Sequence, residues 1–341
     1  MTESIAETAG GPQPPKLDDP YLAIIVEAAH ARGIAVEVVD REYGFLRLRY
    51  QRRVMLIRGS LPQLTSAVAM SRCDNKHVTR RVLAAAGLRA PRAMLAGFDA
   101  GDERFLTEVG ELVVKPVRGE GGTGVTVGVI TAAQLARALK TARAYDSRVL
   151  LEEFVAGHDL RVVVIDHAVV AAAIRRPATI VGDGHSTIRE LIEASDAVIR
   201  MRSNGELRLP LDEHTEDTIQ AAGHTLDDVL DRGVGLAVRR TANLHTGGTM
   251  HDVTHRLHPD LGKACIQASR ALDIPVVGLD LIVPSIEAAE HVFIEANERP
   301  GLANHEPQPT AERYIDLLFP ETIPLCQGQA EMVARQRSGT D

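Results

Sequence analysis

Asp280, Glu295 and Asn297 are the residues of this sequence whose types and spacing best suit a divalent cation. They lie in GLDLIVPSIEAAEHVFIEANERPG, where two Val- and Ile-rich runs, 276–283 and 291–297, flank Pro284, Ser285 and a polar stretch. That is the signal for two strands joined by a turn. A turn centred near Glu287 and Ala288 sets Asp280 opposite Glu295 in an antiparallel ladder, and the two-residue period puts Glu295 and Asn297 on one face. Two carboxylates and an amide suit Mg²⁺, which keeps several waters and takes one or two protein carboxylates together with phosphate oxygens. Solvent-facing acids on a strand are the other reading of the same pattern.

Further residues point to phosphate chemistry. Gly119, Glu120, Gly121, Gly122, Thr123 and Gly124 form a turn between two apolar runs. Glycines there permit positive φ and let backbone N–H groups approach a phosphate closely, as a flap would. No Lys-Ser/Thr follows and no helix opens from the turn, which excludes a Walker A loop; a plain hairpin is the alternative. Lys115 precedes the turn between Val113, Val114 and Pro116, so its ammonium is expected to be partly enclosed and to face phosphates. Lys76, about 40 residues upstream, is a candidate second cation or else a surface lysine. Glu152, Glu153, Phe154 and Val155 end another apolar run before Gly157, with Asp159 just beyond. Such a strand edge can pair its backbone with an adenine rim while a carboxylate takes the ribose hydroxyls; two exposed acids are the alternative. Among arginines able to fork onto a carboxylate or phosphate, Arg161 and Arg299 are preferred over Arg175 and Arg176. The last two are successive strand residues and point to opposite faces.

The elements that must carry these groups are legible from periodicity. Residues 1–18 read as a disordered tail and are set apart from the fold. Tyr21–Arg32 is helical with Gly33 as its stop, and IAVEVVD reads as a strand, so a helix followed by a strand opens an α/β lobe over 19–75. FLRLRY and RRVMLIRG follow as a strand pair, and residues 61–91 are mostly helical. A small lobe spans 76–155, with strands around the glycine-rich turn, a helix over 131–144 and the strand VLLEEFV. A larger α+β lobe over 156–330 contains RVVVID, AVVAAAIRR and helices at TIRELIEAS and PDLGKACIQASRALD. The stretch 202–236, polar and glycine-containing, is a candidate mobile lid together with the glycine-rich turn.

The chain has 341 residues, 45% hydrophobic and 25% charged, which suits about two globular domains. Only 3% of residues are aromatic, Trp is absent, and the formal charge is -8. This argues against nucleic acid as a partner. No run approaches membrane-spanning length and no cationic start precedes an apolar core, so neither a membrane nor a secretory route is expected and a cytoplasmic location is. Cys73, Cys265 and Cys326 are widely separated and imply no disulfide framework. His245, His251, His255 and His258 lack the helical spacing and glutamate of a zinc motif, and no G-x-S-x-G elbow marks a hydrolase.

In combination and in this order, Lys76, Lys115-Pro116, the glycine-rich turn, Glu152-Glu153-Phe154-Val155, Asp280 and Glu295-Ala-Asn297 resemble the ATP-grasp superfamily of carboxylate-amine ligases, from about residue 70 to 320. GHDLRVVVIDHAVVAAAIRRPATIVGDGHSTIRELIE and ANLHTGGTMHDVT are similar to the ATP-grasp region of cyanophycin synthetases. EANERPGLANHEPQPTAERYIDLLFP is closer to N-acetylglutaminylglutamine synthetases, and residues 21–90 resemble the ATP-grasp module of bifunctional glutathione synthetases. Counterparts of the Mur-ligase, glutamate-cysteine ligase and acetyltransferase halves are not found in this sequence, so a single ligation is expected rather than polymer synthesis.

The resemblance implies an α+β ATP-grasp fold in which a short N-terminal α/β lobe precedes two α+β lobes that clasp ATP. It implies that ATP phosphorylates a substrate carboxylate and that an amine displaces phosphate from the acyl phosphate, work done mainly by positioning and charge. Lys76 and Lys115 would contact phosphates, Glu120–Gly124 would cover them, and Glu152–Val155 would hold adenosine. Asp280, Glu295 and Asn297 would hold Mg²⁺, or Mn²⁺ in its place, with Asp159 on the cofactor side. Arg175, the loop Asn243, His245, Gly247, Gly248 and Thr249, and Pro300 and Gly301 would meet substrate. The expected partners are amino-acid or short-peptide substrates and further copies of the chain. A non-catalytic ATP-binding module and a glutathione synthetase-like ligase stay open as alternatives.

Overall fold

Asp19 and Pro20 set the start of the first helix, α1 (Pro20–Ala31). The Asp19 carboxylate accepts from the Tyr21 and Leu22 N–H groups, and Pro20 occupies the first turn, where no N–H is needed. The computed structural model describes residues 19–119, 122–203, 205 and 207–324. The tail expected over 1–18 lies outside these residues, as do Glu120 and Gly121 of the glycine-rich turn, and Cys326.

The chain divides into two units, residues 1–65 with 299–341 and residues 66–298. In the first, α1 leads into β1 (Ala35–Asp40), β2 (Phe45–Tyr50), β3 (Arg53–Arg58) and β4 (Leu61–Pro62), an antiparallel sheet in sequence order. The α/β layer expected here is thus an antiparallel meander. Its connections of a few residues are too short for the helical crossover that parallel strands require. Leu46 pairs with Ile57 and Leu48 with Met55, all buried, while Arg47, Arg49, Val54 and Leu56 take the opposite face.

In the second unit the helical stretch expected over 61–91 is two helices, α2 (Ala67–Asp74) and α3 (Lys76–Ala85). Ser66 caps the first, and Asn75 breaks the run and caps the second by accepting from the Val78 N–H at 3.2 Å. The break places Lys76 at the first turn of α3. A four-stranded antiparallel sheet follows, built from β5 (Ala93–Leu95), β6 (Leu112–Pro116), β7 (Thr126–Val129) and β8 (Val149–Glu153) in the order β5-β8-β6-β7. Helices α4 (Ala100–Val109) and α5 (Ala132–Arg143) cover the face bearing Leu112, Val114, Val149 and Leu151. By the two-residue period, Lys115 and Glu152 project from the other face.

The large sheet has the order β13-β10-β9-β14-β15, all neighbours antiparallel. Its strands are β9 (His158–Ile165), β10 (Ala168–Arg176), β13 (Thr249–Asp252), β14 (Val276–Val283) and β15 (Val292–Asn297). One face carries Leu160, Val162, Val164, Ala172, Val277, Leu279, Leu281, Phe293 and Ala296, packed on α2, α3 and α8 (Pro259–Leu272). Between β10 and β13 the chain builds a separate core from β11 (Thr179–Val181), α6 (Ile188–Arg202), α7 (Glu213–Ala221) and β12 (Gly235–Ala237). The 202–236 stretch expected as a lid contains α7 and packs Leu209, Ile219, Leu230 and Leu236 into that core. The chain then returns to the first unit, where α9 (Thr310–Leu318) packs on α1 through Tyr314, Ile315 and Leu318.

Candidate active site

Opposite its apolar face, the large sheet carries charge. Arg161 on β9 pairs in register with Asp280 on β14, and Asp280 with Glu295 on β15. Asp159 lies two residues before Arg161, and Arg175 on β10 stands opposite Asp159. All five therefore share one face. The Arg161 guanidinium lies 2.5 Å from Asp280 Oδ1 and donates to Oδ2 at 3.2 Å. Arg175 donates to Asp159 at 2.8 Å and reaches Asp280 at 3.2 Å. Asn297 donates its amide to Asp280 Oδ2 and to the Gly278 carbonyl, each at 3.3 Å. The expected alignment of Asp280 with Glu295 holds, but a bulge beside Asp280 pairs Leu281 with Phe293 and passes over Ile294. The bulge turns Phe293 into the core, whereas strict alternation would have left it beside Glu295.

Burial and the two arginines compete at this cluster. Asp280 is penalised by burial, but Arg161 and Arg175 outweigh that and hold its carboxyl below the usual range. Burial and the neighbouring Asp280 push Asp159 up to about 6, against the pull of Arg175. Burial lowers the pKa of Arg175, while Asp280 and Asp159 raise it further, so the net shift is upward.

Helix α3 brings cations to this face and to the small sheet. Lys76 Nζ lies 3.0 Å from Glu295 Oε1 and donates to the Gly119 carbonyl at 2.6 Å. One ammonium thus links β15 to the start of the glycine-rich turn. Lys115 and Glu152 are diagonal neighbours across β6 and β8 and meet at 2.7 Å. The other Glu152 oxygen takes Arg80 at 2.5 Å. Arg80 is absent from the sequence-based site, and with Lys115 it occupies both oxygens of Glu152. Glu153 and Phe154 donate their backbone N–H groups to the Arg92 and Glu111 carbonyls, each at 2.9 Å, so those two amides serve the small sheet and not an adenine rim. The Phe154 side chain is exposed and Val155 is half-buried.

The glycine-rich turn keeps positive φ at Gly119, Gly122 and Gly124. At Gly124 a Cβ would come within 2.6 Å of the Tyr145 ring, so no larger residue fits without displacing it. Thr123 lies in the same turn, just before β7, and a Cβ on Gly122 would sit 3.4 Å from Asn243 Nδ2. The turn and the Asn243 loop are therefore neighbours. That loop is a tight 3-10 turn: Asn243 Oδ1 accepts from the His245 N–H, Gly247 has φ +85, and the Gly248 N–H returns to the Asn243 carbonyl. Thr249 begins β13 opposite Arg176, and the His245 side chain is exposed. Arg175 faces the charged cluster, while Arg176 is exposed.

Arg299, Pro300 and Gly301 belong to the other unit. There the Pro300 carbonyl accepts from Ser60 at 2.6 Å, the Arg299 side chain packs by Gly59, and Gly301 is closely approached by Tyr21 and Asn304.

Among the described residues no three His, Cys, Asp or Glu side chains converge on a point, so the four histidines between 245 and 258 form no metal cluster. Asn297 touches Asp280, and Glu295 stands opposite Asp280 across the ladder. Asp280 Oδ1 makes no well-aligned hydrogen bond, although the guanidinium groups of Arg161 and Arg175 lie 2.5 and 3.2 Å from it. This donor set fits a hard divalent ion. No helix among the described residues is long and apolar enough to cross a membrane.

Residues 73–186 match the RimK-like ATP-grasp domain family. Cyanophycin synthetase from Trichormus variabilis is 30% identical over 317 residues, covering 88% of this chain and 35% of that protein. The glutathione biosynthesis bifunctional protein GshAB of Listeria innocua is 31% identical over 318 residues, covering 87% of this chain and 41% of the relative. The chain thus spans well under half the length of these curated relatives. In three dimensions it is similar to a bifunctional glutathione synthetase from Pasteurella multocida, with a TM-score of 0.61, 24% identity, and coverage of 88% of this chain and 43% of the other.

Proposed function

We propose, from the premise that this chain belongs to the ATP-grasp superfamily and carries a RimK-like ATP-grasp domain, that it is an ATP-dependent ligase. It would join the carboxylate of an amino acid or short peptide to an amine. The observation that carries the reading is Lys76, whose ammonium spans from Glu295 on the charged sheet face to Gly119 at the glycine-rich turn.

Lys76, Lys115 and the backbone of the turn neutralise the triphosphate, and Val155, past the end of β8, borders the adenine. Asp280, Glu295 and Asn297 hold Mg²⁺, which supplies charge neutralisation at the phosphates. Arg161 and Arg175 orient the acid. A carboxylate oxygen attacks the γ-phosphorus and ADP departs; the amine then attacks the acyl carbon, loses a proton and expels phosphate. Nothing in this sequence requires a protein nucleophile, and its charged residues contribute positioning and field. The Asn243–Thr249 loop, beside the turn, admits the amine. The segments 76–155 and 156–298 act as the two lobes around the nucleotide.

The test is phosphate release with ATP and Mg²⁺ against amino acids, dipeptides and N-acylated amino acids, with product masses recorded. Release matched by a condensed product is expected. ATP binding without release across the panel would overturn the ligase and leave a nucleotide-binding module.

A further inference from the structure

Arg80 lies on α3 one turn beyond Lys76, and residues four apart share a helix face. The two cations reach different sheets: Lys76 meets Glu295 on the large sheet, and Arg80 meets Glu152 on the small one. The second contact is unusually enclosed. Arg80 is 8% exposed, Glu152 2% and Lys115 4%. Each Glu152 oxygen serves one cation, Oε1 at 2.5 Å from Arg80 and Oε2 at 2.7 Å from Lys115.

The charge balance of this trio has a consequence. A lone buried Lys115–Glu152 pair is neutral, and a carboxylate with no second partner competes with any anion for the lysine. With Arg80 on the far oxygen, two cations share one carboxylate and the trio keeps a formal charge of +1. Glu152 is drawn away from sole ownership of Lys115 and still fixes its ammonium in place. A guanidinium suits this post because it is planar, permanently charged and reaches from a helix without flexing like an ammonium.

We propose that Arg80 is a positioning residue for nucleotide phosphates, acting through Glu152 on Lys115. The proposal rests on the ATP reading above, and its signature is selectivity: the phosphates feel Arg80 and the nucleoside does not.

Calorimetric titration of the full chain with ATP and Mg²⁺, and with adenosine, tests it. Arg80→Met is expected to weaken ATP by about ten-fold, the scale of a charged hydrogen bond, and to leave adenosine within about two-fold. Arg80→Lys, which keeps the charge and loses the planar fork, should recover only part of the loss. In a Glu152→Gln background, Arg80→Met should add nothing, because the carboxylate that transmits its effect is gone. A merely structural clamp would weaken ATP and adenosine alike, and Arg80→Met would act equally in both backgrounds; either result overturns the proposal. Wild-type protein that binds neither ligand would overturn the nucleotide reading itself, and this proposal with it.

Discussion

Lys76 and Glu295, far apart in the sequence, meet at 3.0 Å, and the same ammonium donates to the Gly119 carbonyl. Removing the Glu295 charge therefore does two things: it takes a ligand from the proposed cation site and releases Lys76 from its carboxylate partner. Glu295→Gln is expected to lower phosphate release by about a hundred-fold, the scale of deleting one preorganised electrostatic contact. Steady-state assays with Mg²⁺ measure it, and a loss of less than about three-fold would remove Glu295 from the chemistry.

Asp159 offers a pH dependence with a definite sign. Its folded pKa of about 6 lies above the ordinary 3.8 because of burial. Between these values the folded chain holds a proton that the unfolded chain has lost. The associated stability is complete below pH 3.8 and disappears as pH rises through 6. Asp159→Asn mimics the protonated form. Urea midpoints without nucleotide should match wild type just below pH 3.8 and exceed it near pH 8; equal differences at both pH values would contradict the shift.

Thiol chemistry at Cys73 and Cys265 should be silent in the native protein. Burial pushes Cys73 up to about 12, with Glu298 and Glu295 adding to the effect and Arg72 opposing it, and burial alone does the same to Cys265. In a Cys326→Ser variant, a disulfide-exchange reagent at pH 8 is expected to label neither thiol before denaturation and both after it. Rapid native labelling of either would show that its pocket opens.

Gly157 marks the passage from β8 to β9 and has φ +153. A Cβ there would lie 2.6 Å from Ile282 and 2.7 Å from the Val283 carbonyl, so β9 would have to move off β14. Gly157→Ala should cost about 3 kcal/mol in urea unfolding, from backbone strain and overpacking. A change below about 1 kcal/mol would mean the strand ends adjust freely.

Local pattern made much of this site readable in advance. Alternating apolar residues around one turn were enough to align Asp280 with Glu295, and the opposite faces of Arg175 and Arg176 follow from strand period alone. The bulge at Ile294 was hidden, because an apolar run looks the same with one residue to spare. Arg80 was hidden for another reason: its carboxylate lies 72 residues away, and within KHVTRR it is one basic residue among several. Helix α7 carries few apolar residues, and only its packing in the β11–β12 core reveals it. That Lys115 needs a partner follows from its apolar strand, but that the partner is Glu152 came only with the strand register.

Adjacent positions on β9 answer to different demands. Leu160 and Val162 are sealed among aliphatic neighbours, whereas Asp159 and Arg161, each one peptide away, belong to the polar cluster. Under the proposed ligase reading, changes at every second residue can therefore alter what the site accepts while the aliphatic face of the sheet is kept. Descendants of one ancestor can diverge quickly in the molecules they handle while their architecture hardly shifts.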